Sequence, residues 1–230
     1  MNARFDASAP WQRRAQPLLG TLVEVGVQGS GDDARAALDA AFAAVREVQA
    51  CLSRFEADSD LARFHALRRG ESMPMRAATR QVLAAAHALQ AVTDGAFDIS
   101  LGTAPDGWHC DGDSLHKASD SVRLDLGGIG KGHAVDRAVA ALIAQGCAAG
   151  WVNAGGDLRA FGDAELPIRL RDEAAAACAL SPRCATARSR PAISIAAADR
   201  NSRLVQAARV SALTSASPHH CACGPTHSRK

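Results

Sequence analysis

One glycine-rich segment carries the residue types best suited to binding an anion. Four glycines fall within residues 127–132 together with Lys131, directly before apolar residues at helical spacing. Backbone N–H groups that converge at such a bend, beside a helix N-terminus, bind phosphate groups. Gly132 stands where a Walker A loop has Ser or Thr, and His133 breaks the G-x-G-x-x-G pattern. The segment therefore predicts a phosphate-binding bend of another kind, the alternative being a glycine-rich connector with a solvated lysine.

The lysine in this segment is itself informative. The chain contains only three lysines against 23 arginines, so the general preference for arginine does not hold at Lys131. A lysine offers a compact point charge, whereas arginine offers a planar fork. We interpret Lys131 as a position that favours the compact charge.

Two other segments combine turn-forming glycines with a carboxylate. Residues 93–98 read Thr-Asp-Gly-Ala-Phe-Asp, in which Phe97 and Asp98 could be ligand contacts or, equally, a core residue and a turn cap at the start of a strand. Residues 153–157 read Asn-Ala-Gly-Gly-Asp, which is consistent with a tight hairpin or with a close approach of the backbone to a ligand. Each segment alone is weak support for a site.

The elements that would position these segments follow from the spacing of apolar residues. Alternation of Val23, Val25 and Val27 predicts a strand over 21–27, and Ser30 is expected to cap the helix that follows. Helical spacing also predicts helices over 77–92 and 133–145, the latter ended by Gly146. The short strands that we expect are 121–126, 149–153 and 157–161. The fold class predicted is α+β, a single compact domain of mixed sheet and packed helices.

Composition and charge exclude several classes of protein. The chain has 230 residues, of which 47% are apolar, and a formal net charge of only +2. This balance does not indicate a nucleic-acid partner, and no apolar run is long enough for a membrane span. The N-terminal residues lack the apolar stretch of a signal peptide, so a cytoplasmic location is expected.

The character of the sequence changes near residue 173. Residues 1–173 contain 18 basic and 23 acidic side chains, whereas residues 174–230 contain eight basic side chains and Asp199 as the only acidic one. The second part has few large apolar residues and therefore lacks the means to build a core. We predict a domain over 15–172 and an atypical, poorly packed basic tail over 173–230, either disordered or the product of a frameshift.

Taken together and in order, the segments resemble the FAD:protein FMN transferase family, also known as the thiamine-biosynthesis lipoprotein (ApbE-like) family. Five ordered blocks over about 155 residues carry the resemblance. The blocks are Leu19–Thr21, Leu52–Phe55 with Ser59–Leu61, Thr93–Asp98, Asp125–Gly132 with Ala134–Asp136, and Asn153–Asp157.

The resemblance implies an α+β flavoprotein enzyme that transfers the FMN half of FAD to a threonine of an acceptor protein, with Mg²⁺ present and AMP released. On the family's pattern the FAD-binding positions are Leu19, His65, Ala96, Phe97, Asp98, Asp125 and Lys131. The catalytic residues that it implies are Asp125 and Lys131, and Gly128 is expected to offer its backbone carbonyl to the metal. An ammonium and Mg²⁺ would stabilise the charge that develops on the diphosphate oxygens.

The chain departs from the family's pattern at several positions. Leu19 replaces the usual Met, His65 stands in the place of Asn, and His133 in the place of Tyr. The family's Thr-Ser-Gly block and its later segment with a metal-binding Asp and Thr are not found after residue 173. The loss of these metal ligands predicts an impaired transferase with little or no activity.

Two alternatives remain at this point. The chain could be a catalytically inactive FAD-binding module or fragment whose partner supplies the missing ligands. The segment His219–Cys223 could instead hold Zn²⁺, although its Cys-x-Cys spacing is shorter than that of structural zinc sites.

Overall fold

The computed structural model describes residues 10–164 and 166. Seven strands and four helices lie in these residues. In chain order they are β1 (Trp11–Leu18), β2 (Thr21–Gln28), α1 (Gly31–Leu52), α2 (Asp60–Ala66), β3 (Ser72–Pro74), α3 (Ala77–Val92), β4 (Trp108–Asp111), β5 (Ser114–Lys117), α4 (Gly127–Ala144), β6 (Gly150–Ala154) and β7 (Asp157–Phe161). The predicted tail, 173–230, lies outside the described residues.

The larger sheet is antiparallel throughout and has the strand order β1-β2-β6-β7. Hairpins join β1 to β2 and β6 to β7, and β2 pairs with β6 through the centre. Val23, Val25 and Val27 of β2 are fully buried, so one face of this sheet is covered. The predicted alternation of the strand is therefore confirmed.

Helices α1 and α4 pack against each other and cover the larger sheet. Phe42 and Val45 of α1 and Val139 and Leu142 of α4 are at most 1% exposed. These side chains recur at helical spacing, which places them on one face of each helix. The two long helices thereby bring the C-terminal end of α1 and the glycine-rich start of α4 into one region.

A smaller layer lies beside the core and supports the loop after α1. It contains α2, α3 and a second antiparallel sheet of order β3-β5-β4. The carboxylate of Asp60 at the start of α2 is fully buried and accepts hydrogen bonds from Arg76 and Thr79. Among the described helices, none is long and apolar enough to cross a membrane.

Two of the predicted elements differ in the structure. The strand expected at 121–126 is wrong: residues 122–126 have no regular secondary structure and pair with no strand among those described. The last helix begins at Gly127, six residues before the predicted start, so the glycine stretch forms its first turns. The remaining predicted elements are confirmed to within a few residues, and Gly146 adopts the left-handed conformation expected beyond a helix end.

Candidate functional site

One cleft in the described residues has a volume of about 530 Å³. This size suits a small-molecule ligand. Its walls come from the β1–β2 turn, the end of α1, the following loop and the start of α4. The lining residues are Leu19, Gly20, Val48, Gln49, Leu52, Ser53, Arg54, Phe55, Glu56, Leu61, Asp125, Leu126, Gly127, Gly130 and Lys131. Three residues predicted for the site, Leu19, Asp125 and Lys131, therefore meet in this cleft.

Leu19 lies at the tip of the β1–β2 hairpin, where the backbone is left-handed. Its φ is +56° and that of Gly20 is +71°, the combination that a two-residue hairpin turn requires. A left-handed conformation is unfavourable for leucine. The Leu19 N–H donates to Gln49 Oε1 at 2.8 Å, which fixes the turn at the rim of the cleft.

The loop after α1 presents an exposed aromatic ring and a cation. Phe55 is 85% exposed although it is a large apolar residue. The Arg54 guanidinium lies 4.9 Å from the centre of that ring, and its Nη1 is 3.6 Å from Asp125 Oδ2. Gln49 Nε2 donates to Glu56 Oε1 at 3.0 Å, so the same glutamine holds this loop and the hairpin turn. An open ring face beside a charge is suited to stacking a flat ligand.

Asp125 sits immediately before α4, and its carboxylate is shared between two partners. Oδ1 accepts the N–H of Gly127 at 2.7 Å, while Oδ2 faces Arg54. The N–H groups of Ile129 and Gly130 donate to the carbonyl of Leu126 at 3.1 and 2.7 Å. The predicted phosphate-binding bend is thus a helix start whose amides are largely occupied by partners within the protein.

Lys131 lines the cleft from the first turns of α4. It is also the charged group that acts on Asp157, the first residue of β7. Burial raises the pKa of Asp157, and the positive charge of Lys131 opposes that rise. The Asn153–Asp157 block and the Asp125–Gly132 block therefore interact through these two side chains.

The Asn153–Asp157 segment forms the tight hairpin between β6 and β7. Gly155 and Gly156 both have positive φ, and Asn153 Oδ1 accepts the Gly156 N–H at 3.0 Å. A Cβ atom at Gly155 would lie 2.5 Å from Thr21 Oγ1. Glycine is required here because the turn packs directly against the start of β2.

Asp98 organises the loop that follows α3, whereas the cleft is lined by other residues. Its carboxylate accepts hydrogen bonds from the N–H and hydroxyl of Ser100, at 2.8 and 2.7 Å, and from the Gly102 N–H at 2.9 Å. Burial alone would raise the pKa of Asp98, but these hydrogen bonds outweigh it and lower the pKa. The strand expected to start at Asp98 is wrong, because the residues form turns.

Ala96 and Phe97 lie in the same loop, near the start of α4. Ala96 is exposed, and Phe97 is half-buried with its ring edge 3.5 Å from where a Cβ of Gly128 would be. The Asp125 N–H donates to the Ile99 carbonyl at 2.7 Å. The loop therefore supports the residues at the start of α4, and contact of 96–98 with flavin stays a prediction.

His65 holds the segment before α4 in place. Its Nε2 accepts the Leu124 N–H at 3.0 Å, and its carbonyl accepts from Lys117 Nζ at 3.1 Å. Burial, with the positive charges of Arg123 and Lys117, lowers the pKa of His65. The neutral imidazole is the form whose Nε2 can accept a hydrogen bond. A role of His65 in FAD binding stays a prediction.

The donors for a metal ion are few in the described part of the chain. No group of three or more His, Cys, Asp or Glu side chains there could hold a metal. Asp125 is a hard oxygen donor in the cleft, and Mg²⁺ needs only one or two protein carboxylates when substrate phosphates supply the rest. Gly128 lies in the first turn of α4, and its role as a metal ligand stays a prediction.

Arg54, Phe55 and Gln49 line the cleft although the sequence did not predict a site role for them. Two features of the sequence could have indicated these residues. Arg54 stands beside the aromatic Phe55 just after the end of α1, and Gln49 is a polar residue within an apolar stripe at helical spacing. Their meaning depended on where α1 ends relative to α4, which local spacing does not encode.

Comparison with known proteins places the chain in a known family. The sequence model of the ApbE family matches residues 19–119 and 107–194. No curated protein matches the chain significantly. The second matched segment runs past residue 172, and the predicted domain boundaries stay predictions.

Solved structures share the fold. The apo form of the Pseudomonas stutzeri flavinyl transferase ApbE is 26% identical, with a TM-score of 0.64 over 72% of this chain and 65% of that one. The flavin transferase ApbE from Vibrio cholerae is 22% identical, with a TM-score of 0.64 over 70% and 63% of the two chains. The Thermotoga maritima ApbE protein is 23% identical, with a TM-score of 0.63 over 71% and 64%. The similarity therefore spans slightly less than two thirds of each of these proteins.

Proposed function

Since the chain belongs to the ApbE family, we propose that it is an FAD:protein FMN transferase. It takes FAD as substrate, requires Mg²⁺, and transfers FMN to a threonine of an acceptor protein with release of AMP. The observation that carries the proposal is the meeting of three separate sequence blocks in one cleft, represented by Leu19, by Leu52–Phe55 and by Asp125 with Lys131. The P. stutzeri neighbour described as a flavinyl transferase supports it.

The chemical character of the cleft fits a flavin dinucleotide. Its lining combines apolar side chains with Phe55 at an exposed position and with the cations Arg54 and Lys131. A flat aromatic ring system can stack on phenylalanine, while a diphosphate is attracted by the two cations. A ligand that carries both parts, as FAD does, uses the whole cleft.

The transfer itself needs positioning and charge stabilisation. The threonine oxygen forms a bond to the FMN phosphorus, and the phosphoanhydride bond to the AMP oxygen breaks with its electron pair leaving on AMP. The threonine proton passes to solvent. Negative charge grows on the phosphate oxygens, and the Lys131 ammonium stabilises it from the wall of the cleft.

Of the two carboxylates that line the cleft, Asp125 and Glu56, Asp125 lies beside the start of α4 and is the one that would hold Mg²⁺. Mg²⁺, when bound, neutralises charge on the diphosphate oxygens. With one such ligand we expect weak binding of the metal, so that activity requires a high concentration of MgCl₂.

The test is incubation of the full chain with FAD, a series of MgCl₂ concentrations and proteins extracted from the cells that carry this gene. AMP is measured by chromatography, and covalent flavin is detected as fluorescence in a denaturing gel. We expect both products from the wild type at high MgCl₂ and neither from Lys131→Gln. Binding of FAD without AMP or covalent flavin at any MgCl₂ concentration would contradict a transferase.

A further inference from the structure

The backbone of the glycine stretch has little capacity left for a phosphate group. The N–H of Gly127 is bonded to Asp125, and those of Ile129 and Gly130 are bonded to the carbonyl of Leu126. From Lys131 onward the N–H groups lie within the helix, where each donates to the carbonyl four residues earlier. Within the described residues, only the N–H of Gly128 in this turn has no such partner, so we expect an anion in the cleft to be bound mainly by side chains.

Arg54 is placed to be one of those side chains. It lines the cleft from the loop after α1, while Lys131 lines it from α4. Its separation of 3.6 Å from Asp125 Oδ2 is longer than a hydrogen bond, and the guanidinium is 62% exposed. A weakly held, accessible guanidinium can exchange its carboxylate for a phosphate, with which it forms a bidentate pair.

The charges of the cleft decide what kind of anion it accepts. Its ionised lining residues are Arg54 and Lys131 against Asp125 and Glu56, which cancel formally. A phosphate ion alone gains little electrostatic binding free energy from a site with no net charge. A ligand that also buries a ring against Phe55 and the apolar wall gains binding free energy from that burial, and this free energy can offset the displacement of Asp125 from Arg54.

We propose that Arg54 and Lys131 together bind the diphosphate of a flavin dinucleotide, and that Arg54 leaves Asp125 when it does so. This inference rests on the proposed function, since it assumes that FAD enters this cleft. The diphosphate would then be bound by side chains from two different elements, and not by the backbone amides of the glycine stretch.

The experiment is titration of the full chain with riboflavin, FMN and FAD, followed by flavin fluorescence. The three ligands share the ring and carry no phosphate, one and two. For Arg54→Gln we expect about tenfold weaker binding of FMN and FAD and unchanged binding of riboflavin. Arg54→Lys keeps the charge and loses the planar fork, so its affinity for FMN and FAD is expected to lie between those of the wild type and Arg54→Gln.

Arg13→Gln is the matched control, because Arg13 is exposed on β1 outside the cleft. It removes the same charge and is expected to bind all three ligands as the wild type does. Added NaCl is expected to weaken FAD binding more in the wild type than in Arg54→Gln. Circular dichroism establishes that each variant is folded.

The outcomes separate the inference from the proposed function. If the wild type binds FAD and Arg54→Gln binds it equally well, the role of Arg54 is refuted while the proposed function stands. Equal weakening of riboflavin and FAD would also refute it, because Arg54 would then act on the ring or on Phe55. If the wild type binds none of the three ligands, the proposed function itself fails.

Discussion

Asp60 is a buried carboxylate whose removal tests the support beneath the cleft. Its Oδ2 accepts hydrogen bonds from the Arg76 N–H at 2.7 Å and from the Thr79 hydroxyl at 2.6 Å, and its Oδ1 accepts from Arg76 Nε at 3.0 Å. The preceding Ser59 hydroxyl donates to the Ser53 carbonyl at the end of α1. This network fixes the loop that presents the arginine and the phenylalanine of the cleft.

The change Asp60→Asn removes the charge and turns an NH₂ group toward one of the existing donors. A hydrogen bond to a charged group contributes about 1.5–3 kcal/mol, and an unsatisfied buried donor costs about 1–3 kcal/mol. The Arg76 side chain is 43% exposed, so hydrogen bonds to water compensate for part of the interaction that it loses. We therefore expect a loss of about 3 kcal/mol, which lowers Tm by roughly 6–12 °C in a protein of this size.

The same variant predicts a change in acid sensitivity. Burial alone would raise the pKa of Asp60, but hydrogen bonds from Thr79 and Arg76 outweigh it and hold the pKa below its ordinary value of 3.8. The unfolded chain therefore takes up this proton first as the pH falls. The stabilisation is complete above the ordinary value and is lost as the pH falls through the folded pKa, so the wild type loses more stability in acid than Asp60→Asn does.

The assay is thermal unfolding by circular dichroism at neutral pH and over a series of decreasing pH. Asp58→Asn is the matched control, because Asp58 is exposed and the substitution removes the same charge. We expect its Tm to change by less than about 2 °C. The reasoning is refuted if Asp60→Asn also stays within that margin, or if the Tm of wild type and Asp60→Asn fall in parallel on acidification.

Four further substitutions, of which Gly112→Ala is a control, test particular contacts. Gly155→Ala places a Cβ 2.5 Å from Thr21 Oγ1 at a φ of +63°, so we expect a loss of about 1–3 kcal/mol by thermal unfolding. Gly112→Ala is the control, because Gly112 has a φ of +56° and open space around it, so this variant reports only the cost of the left-handed backbone. It should lose less stability than Gly155→Ala, and equal losses would contradict a steric cost from Thr21. His133→Phe removes a buried Nε2 without a partner in the described residues and is expected to raise Tm, whereas a lower Tm would indicate that the atom is bonded. Phe55→Ala, at a ring 85% exposed, should weaken riboflavin binding about tenfold with Tm unchanged, and unaltered binding would exclude stacking there.

The sequence alone determined the elements whose burial pattern is local. The alternating valines of β2 and the helical spacing in α1 and α3 predicted these elements because each buries one face against the core. The glycine pair after Asn153 was consistent with a hairpin or with a close approach to a ligand, and the structure shows the β6–β7 hairpin, whose turn has two positive φ angles. The ordered blocks also indicated the ApbE family, which the family match confirms.

The conformation of residues 121–132 was decided only by the tertiary structure. Val122, Leu124 and Leu126 alternate and are buried as in a strand, yet the neighbouring backbone bonds go to the His65 side chain and the Ile99 carbonyl. Alternation reports only which side chains face the core. The partners of the backbone come from residues distant in the chain, and no local pattern encodes them.

The cleft depends on the same kind of long-range placement. Lys131 was predicted from the unusual composition of its segment, and Asp125 from the resemblance to the family. Arg54 and Phe55 gain their role from the end of α1 lying beside the start of α4. The packing of these two helices against one sheet sets that distance. A sequence pattern specifies which face of a helix is buried, but the crossing of two helices is set by all the side chains that fill the space between them.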